Sequence, residues 1–328
     1  MGLFDWLFKR GASAEQKADQ RASSLLADDF LNIPSLQFFG PFSTSANGRY
    51  KLAWGSGGGL STARKAQSRK SGRYLLLEGE RVLVEGKMIR PDHGKVANNG
   101  SFVLCDMRHA NQPSGVICAF DAKGNTLIKH TFKANIFNSG MSDDGRFAVC
   151  QTCGSHVVSD NSILAIFDLT LSREIAKWQP ASGWAGFYEF PTDAKTIGLG
   201  YRDLGVCFYT MDGDFVDQNG WENTLLEKGD YGTALRMAEV IVKGVGRRMS
   251  HELSFKLISC IDRVAPQVAK ADSRWQALAL KLRGVCLDAH GTPQAALSCY
   301  DQALALDPKI GVRGRADQLR KKLAQPIV

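Results

Sequence analysis

The pattern of apolar and polar residues changes along the 328-residue chain. From about residue 35 to 218, short apolar stretches alternate with turns rich in Gly, Asn and Asp, which is typical of β-strands. From 221 to 325, apolar residues recur at the three- and four-residue spacing of amphipathic helices. The sequence predicts an amphipathic helical segment over residues 1–34, an all-β region over 35–218 and an all-helical region over 221–325.

The all-β region repeats a tight turn followed by an apolar strand. The turns centre on Gly48, Gly100 and Gly145, and we place the fourth at Lys195, which gives intervals of 52, 45 and 50 residues. Asn-Gly and Asp-Gly pairs supply the positive φ that a tight hairpin turn requires. Each repeat continues into a second hairpin, so we expect four strands per repeat. The second hairpins are predicted at Tyr74–Glu80 with Arg81–Met88, Gly115–Asp121 with Thr126–Phe132, Ser162–Asp168 with Arg173–Trp178, and Gly205–Met211 with Asp214–Asp217.

Two of these turns have the form Ser-x-Asn/Asp-Gly-Arg-aromatic, at 45–50 and 142–147. With the repeat length, this form resembles that of divergent WD-repeat-like β-propellers, although the Gly-His and Trp-Asp signatures of that family are absent. The resemblance implies a small propeller of about four blades, or an open arc completed by another chain. An open sheet edge must be covered, so self-association through this edge is one expectation.

Within the helical region, Ala277–Ile310 resembles one tetratricopeptide repeat over its full length of 34 residues. The positions that match the family consensus are Gly284, Ala296, Tyr300, Ala303 and Pro308. A weaker copy begins at Trp221, and His251–Val264 forms a further amphipathic helix. The resemblance implies a stack of helix pairs that presents a surface to other proteins.

Charge is unevenly distributed along the chain. The net charge is +8, and residues 229–328 contain 16 Lys and Arg against 9 Asp and Glu, so this part carries +7 of it. A basic region favours acidic partners, which include proteins, nucleic acids and anionic lipids. We expect the concave face of the helical region to bind an acidic or extended segment of a partner protein. The candidate residues are Arg247, Arg248, Lys281 and Arg283.

A second basic cluster lies in a loop of the all-β region. Two interpretations remain open, a solvated loop and a contact with an anionic partner. No aromatic residue is interleaved before Tyr74, so base stacking is not indicated. The cluster consists of Arg64, Lys65, Arg69, Lys70 and Arg73.

The first ten residues are dense in large apolar side chains, which need a covering partner. We expect a helix that docks on this protein or on a neighbouring subunit, where it also offers a route to self-association. The alternative is an interfacial membrane helix, which a single Lys9-Arg10 pair would hold only weakly. The docking residues are Leu3, Phe4, Trp6, Leu7 and Phe8.

Residues with catalytic or metal-binding chemistry give no complete motif. Cys150 and Cys153 with His156 have the spacing of half a zinc site, but there is no second Cys-x-x-Cys pair, so we expect a buried strand thiol instead. The histidines occur in no catalytic frame. We therefore predict no catalytic residues, no metal and no cofactor. The eight cysteines are scattered, and we interpret them as reduced thiols of a cytoplasmic protein.

Together these patterns predict a non-enzymatic scaffold or adaptor for protein–protein interactions, as one subunit of a larger assembly. A nucleic-acid-associated accessory protein that uses its basic helical half is the main alternative. An enzyme with its site at the centre of a propeller is a third, for which no converging carboxylates or histidines are evident.

Overall fold

A computed structural model describes residues 30–55, 71–108 and 113–325 of the chain. The chain divides into two compact units, Met1–Val216 and Asp217–Val328. The described part of the first unit is antiparallel β-structure with short 3-10 turns, and that of the second is helical. The predicted order of β-structure followed by α-helices is therefore confirmed.

Sixteen strands in the described ranges form four antiparallel sheets, and within each sheet the strands follow chain order. The first sheet contains β1 Phe30–Ile33, β2 Phe38–Thr44, β3 Tyr50–Gly55, β4 Gly72–Glu78 and β5 Arg81–Met88. The second contains β6 Pro91–Val96, β7 Phe102–Asp106, β8 Gly115–Phe120 and β9 Thr126–Phe132. The third contains β10 Ile136–Met141, β11 Phe147–Thr152, β12 Leu164–Asp168 and β13 Arg173–Trp178. The fourth contains β14 Phe187–Glu189, β15 Thr196–Tyr201 and β16 Gly205–Thr210.

The end of the predicted N-terminal helical segment is a strand, so the prediction of helix up to residue 34 is wrong there. Phe30–Ile33 forms β1, which pairs with β2, and the Phe30 ring stacks on that of Phe39 at 5.2 Å. Pro34 follows directly, and a proline disfavours helical backbone at the residue before it. The rest of that segment lies outside the described residues.

Turns of the predicted kind precede the second strand of each repeat. Gly48, Gly100 and Gly145 have φ values of 71°, 82° and 77°. The fourth turn residue is Ala194, with φ of 53°, and not Lys195 as the sequence spacing suggested. At Ala194 the backbone N–H donates to the Pro191 carbonyl at 3.1 Å, and the three glycines make the equivalent bond. The Asp193 carboxylate also accepts from the backbone of Lys195, which stabilises the turn without a glycine.

Equivalent turns of neighbouring repeats are hydrogen-bonded to one another. The Asn47 backbone N–H donates to the Asn98 side chain at 2.8 Å. In turn, the Asn98 backbone N–H donates to the Asp143 carbonyl at 2.8 Å, and the Asn99 side-chain amide donates to the Asp144 carbonyl at 3.0 Å. The turn residues therefore join the first sheet to the second and the second to the third.

The arginine of the repeated turn has a structural role in its own sheet. Arg49 pairs with Glu78 at 2.6 Å, and Arg146 pairs with Asp168 at 3.4 Å. Each guanidinium also lies over the ring of the aromatic residue that follows it, at 5.1 Å and 4.6 Å from the ring centre. The Ser-x-Asn/Asp-Gly-Arg-aromatic form is thus explained by contacts within each repeat.

Apolar cores lie between successive sheets. Alternate residues of β7 point to opposite faces: Phe102 and Leu104 pack with the first sheet, while Val103 and Cys105 pack with the third. Because both faces of such a strand are buried, it appears in the sequence as a continuous apolar stretch and not as an alternating one.

A buried polar network fixes the chain between the third and fourth sheets. The Gln151 amide donates to the Gly183 carbonyl at 2.8 Å and accepts from the Ala185 backbone N–H at 2.9 Å. The Asn138 amide donates to the Ala185 carbonyl at 2.6 Å, and the Tyr188 hydroxyl hydrogen-bonds to Asn138. Burial raises the pKa of Tyr188 well above its usual value, so this hydroxyl stays protonated.

The last predicted strand of the fourth repeat, Asp214–Asp217, does not form. A single bridge joins Phe215 to Tyr209, and the chain then enters a helix whose first turn is capped by the Asp217 side chain, which accepts from the Gly220 backbone at 2.8 Å. The helix cap takes over the residues that a fourth strand would need. No closed propeller ring is found among the described residues.

Six α-helices occupy the second unit as far as it is described, and each packs against the next in sequence. They are α1 Gln218–Lys228, α2 Tyr231–Val245, α3 His251–Val268, α4 Ser273–Ala289, α5 Pro293–Leu306 and α6 Arg313–Leu323. Side-chain caps fix several helix starts. For example, Asp230 accepts from the Thr233 backbone at 2.8 Å and Ser250 accepts from that of Leu253 at 3.1 Å.

The tightest helix contact is between α4 and α5, within the predicted repeat segment Ala277–Ile310. A Cβ atom on Gly284 would lie 2.6 Å from the Tyr300 ring, so only glycine permits this approach. Tyr300 is fully buried, as are Ala296 and Ala303 on the same helix. Small residues at the predicted positions therefore set the distance between these two helices.

Candidate functional site

The predicted basic loop and docking helix are only partly within the described ranges. Residues 3–8 and 64–70 lie outside them, which leaves Arg73 as the one member of either group whose contacts can be given. Its guanidinium donates to Glu85 at 2.7 Å and to the Leu36 carbonyl at 2.8 Å. Arg73 therefore links β4, β5 and the turn before β2, and its charge is used within the first sheet.

The helical unit presents a cluster of cations around one acid. Glu239 on α2 lies 3.4 Å from Arg236 and 3.0 Å from Lys243, one turn before and after it on the same helix. Lys281 on α4 approaches the same carboxylate to 3.8 Å. We call these four residues the α2–α4 charged face. Its two lysines share a single carboxylate, so this part of the face attracts negative charge.

Trp275 contacts Arg236 of this face, and Tyr231 in turn contacts Trp275. The Arg236 guanidinium lies 5.1 Å from the centre of the Trp275 ring, and the Tyr231 ring meets Trp275 edge-on at 5.5 Å. Only 5% of Trp275 is exposed, so it acts as a rigid base for the arginine. A cation held over a buried aromatic ring is oriented before any partner arrives.

The four residues predicted to bind a partner do not share one surface. Arg283 follows Lys281 by two positions, which is a rotation of about 200° around a helix. It pairs with Asp262 of α3 at 3.0 Å, and it approaches the Cys299 sulfur of α5 at 4.0 Å. Lys281 belongs to the α2–α4 charged face, whereas Arg283 links α3, α4 and α5.

The remaining two candidates follow α2. Gly246–Arg248 forms a 3-10 turn, in which Gly246 ends the helix with φ of 56°. Arg248 is exposed, and for Arg247 the structure describes the backbone only. Arg236 and Glu239 were not among the predicted binding residues. They could have been found from their spacing, since charged residues three and four positions apart lie on one helix face, here with Lys243.

Two histidines of the helical unit lie near each other. The ring centres of His251 and His290 are 5.2 Å apart, and the Ser254 hydroxyl lies 3.3 Å from His290 Nδ1. Over the described ranges, no group of three or more His, Cys, Asp or Glu side chains could hold a metal ion.

The cysteines all lie within the described ranges, and all are free thiols. Cys150 is buried in β11 as expected, and burial raises its pKa well above the usual value. Cys153 is half-buried, and none of the others is more accessible. Cys150 therefore belongs to strand β11, and Cys153 lies in the loop that follows this strand.

Comparisons with known proteins add no assignment. No protein-family model matches this chain, and no curated protein sequence matches it. Within the part of the chain that the structure describes, no helix is long and apolar enough to span a bilayer. Function is therefore inferred from the contacts, distances and charges of the described residues.

Proposed function

We propose that this protein is a non-enzymatic scaffold for protein–protein interactions, and that its helical unit binds an acidic or extended segment of a partner. The α2–α4 charged face carries the proposal, because Lys243 and Lys281 there share the carboxylate of Glu239. Lys243 is the more accessible of the two lysines, with 69% of its side chain exposed. A carboxylate of a partner can bind these lysines beside Glu239, so that neither acid is left without a cation.

The architecture of the two units supports the same function. We propose that the four sheets belong to a divergent WD-repeat-like propeller or open arc, because equivalent turns bond to one another in chain order. We also propose that α4 and α5 form a tetratricopeptide-like pair, because glycine and alanine set their separation. Rigid repeated scaffolds of both kinds leave extended surfaces free to contact other macromolecules.

Nucleic-acid binding is the weaker candidate for the basic unit. Tracking a phosphate backbone requires many unpaired cations along one surface. Here Arg283 pairs with Asp262, and Arg320 on α6 pairs with Asp301 and Asp317. These two arginines are thus matched locally, which favours contact with a short acidic segment over a long polyanion.

The test of this proposal is to purify the full-length protein from its native cells and to measure the mass of the intact complex. The charge-reversing double variant Lys243→Glu with Lys281→Glu should lose the partner. Lys309→Glu with Lys321→Glu, on exposed positions of the same unit, makes the same charge change away from the α2–α4 charged face and should retain it. Lysine-specific cross-links should join the partner to Lys243.

Three results would contradict this function. One is a stable monomer with no partner in the native extract. Another is equal partner recovery with both double variants, which would move the binding surface elsewhere. The third is binding to random-sequence duplex DNA that falls steeply with salt, which would favour the nucleic-acid alternative.

A further inference from the structure

A cleft of about 440 Å³ lies between the first and second sheets. Its walls come from β4 and β5 on one side and from β7, β8 and β9 on the other. This volume is within the range of sites that bind small molecules. The cleft belongs to the β-unit, and the α2–α4 charged face takes no part in it.

The charges that line the cleft are unbalanced. Lys87, Arg108 and Lys129 contribute three positive side chains, and Asp106 is the single acid among the lining residues. Asp106 is already occupied by backbone groups: it accepts from the N–H groups of Arg90 at 2.9 Å and of Arg108 at 3.1 Å. The lining therefore has an excess of positive charge, which attracts anions.

The three cations that line the cleft differ from the arginines of this unit that have a carboxylate partner. Arg49, Arg73 and Arg146 each have a carboxylate partner. Neither an ion pair nor a side-chain hydrogen bond joins Lys87, Arg108 or Lys129 to any other described residue.

Arg108 is held in place before any ligand binds. Its Nε is buried and has no hydrogen-bond partner among the described residues. Its backbone is in the left-handed region, with φ of 43°, and the bond to Asp106 fixes it there. A non-glycine residue in this conformation costs free energy, which is a feature of binding sites more often than of plain connections.

The aromatic residues of the cleft come from both sides, Tyr74 from β4 and Phe120 from β8, and together we call them the aromatic wall. The Tyr74 and Phe120 rings lie 5.6 Å apart, and Phe120 stacks on the fully buried Phe102 at 4.9 Å. Burial raises the pKa of Cys118, which also lines the cleft, to about 11, so its thiol stays neutral near pH 7. Burial likewise raises the pKa of Tyr74, which keeps its hydroxyl protonated. This wall supplies no negative charge to the three cations.

We propose that this cleft binds a small organic anion, with a carboxylate or phosphate group at Arg108, Lys87 and Lys129 and an apolar, planar body against Tyr74 and Phe120. Unpaired cations beside a rigid aromatic wall require both parts of such a ligand. An inorganic anion would leave the apolar wall in contact with water, and a neutral aromatic molecule would leave the arginine unmatched.

The simplest probe of this class is phenyl phosphate, which can be titrated calorimetrically into the full-length protein. Phenol and inorganic phosphate each carry one half of it. We expect phenyl phosphate to bind at least about tenfold more tightly than either half, because both parts of the cleft contribute. Benzoate should bind as the carboxylate member of the class. These titrations need no partner protein, so their outcome is independent of the scaffold function.

Variants locate the binding. Lys87→Gln with Lys129→Gln removes two exposed cations and should weaken phenyl phosphate binding by about tenfold or more. The control is Lys123→Gln with Lys195→Gln, two exposed turn lysines with the same charge change, which should bind as the original chain does. Arg108→Gln should abolish binding. Acetylation followed by mass spectrometry should show Lys129 protected by the probe and Lys123 unprotected.

Several outcomes would overturn the proposal. Equal binding of inorganic phosphate and phenyl phosphate would indicate a general anion site without use of the aromatic wall. Unchanged binding in the Lys87/Lys129 variant would place the anion elsewhere. No binding of phenyl phosphate or benzoate at millimolar concentration would exclude a small organic anion as the ligand of the cleft.

Discussion

Replacing Gln151 by methionine should destabilise the β-unit strongly. Gln151 is fully buried, and its amide bonds both the Gly183 carbonyl and the Ala185 backbone N–H. Methionine has a similar volume but can neither donate nor accept comparably, so the Ala185 backbone N–H loses its partner, while the Gly183 carbonyl keeps the Tyr201 hydroxyl at 3.3 Å. The effect thus isolates hydrogen bonding from cavity formation.

The magnitude follows from one orphaned group and one lost hydrogen bond. The buried Ala185 N–H without a partner costs about 1–3 kcal/mol and the bond lost at the Gly183 carbonyl about 0.5–1.5 kcal/mol, so the variant should lose about 1.5–4.5 kcal/mol of unfolding free energy. Gly183 and Ala185 are both buried, so water cannot replace the lost bonds without opening the structure. A typical domain has about 5–15 kcal/mol of stability, so this loss is a large part of it.

Hydrogen exchange read by mass spectrometry is the suitable assay, because two units of one chain need not unfold together. Exchange should accelerate in the peptide that contains residues 180–186, and the urea midpoint of the β-unit should fall. Gln179→Met, at an exposed position nearby, is the control and should change stability by no more than about 0.5 kcal/mol. Unchanged exchange at Ala185 in the Gln151 variant would refute the reasoning.

Three further predictions concern single residues. N-ethylmaleimide should label the native protein at Cys153 alone, since the other thiols are buried, and Cys153→Ser should abolish labelling; two or more labelled sites without denaturant would contradict this. Burial acts to raise the pKa of Asp168, but its hydrogen bonds hold that pKa below the usual value. Its ionised form thus stabilises the fold above about pH 3.9 and loses this effect as the pH falls further, so Asp168→Asn should be less stable than the original chain at pH 7, with the gap closing in acid; a gap that is constant with pH would count against it. The Gly284→Val side chain should clash with Tyr300. This overpacking should cost about 1–3 kcal/mol of unfolding free energy and so lower the thermal midpoint of the helical unit; an unchanged midpoint would argue against the close contact.

Local signals in the sequence were sufficient for the hairpins. An Asn-Gly or Asp-Gly turn needs only its own few residues, and the structure has such turns at Gly48, Gly100 and Gly145. The second hairpins of the first three repeats also form as predicted. The fourth turn was misplaced by one residue because Ala194 adopts a positive φ that the sequence pattern assigns to glycine.

Features that depend on distant residues were not accessible from the pattern. The strand Phe30–Ile33 forms only because Phe38–Pro41 is available to pair with it. Gln151 looks like an ordinary polar residue in an apolar strand until Gly183 and Ala185 are placed beside it. On α4, the sequence places Lys281 and Arg283 close together, but the helix turns them towards different neighbours. Which side of a helix a charge occupies depends on the packing of that helix.

Net charge alone would direct a small anion to the helical half of the chain. Residues 229–328 carry +7 of the net charge of +8, and the first 228 residues carry only +1. Yet several cations of the helical unit face acids, as Arg283 faces Asp262. In the β-unit, acids such as Glu78 and Asp168 pair with arginines, while Arg108 lines the cleft together with two lysines and has no ion pair in the described ranges. Because the field at a site depends on nearby charges and on burial, local pairing and not the total decides where a small anion binds.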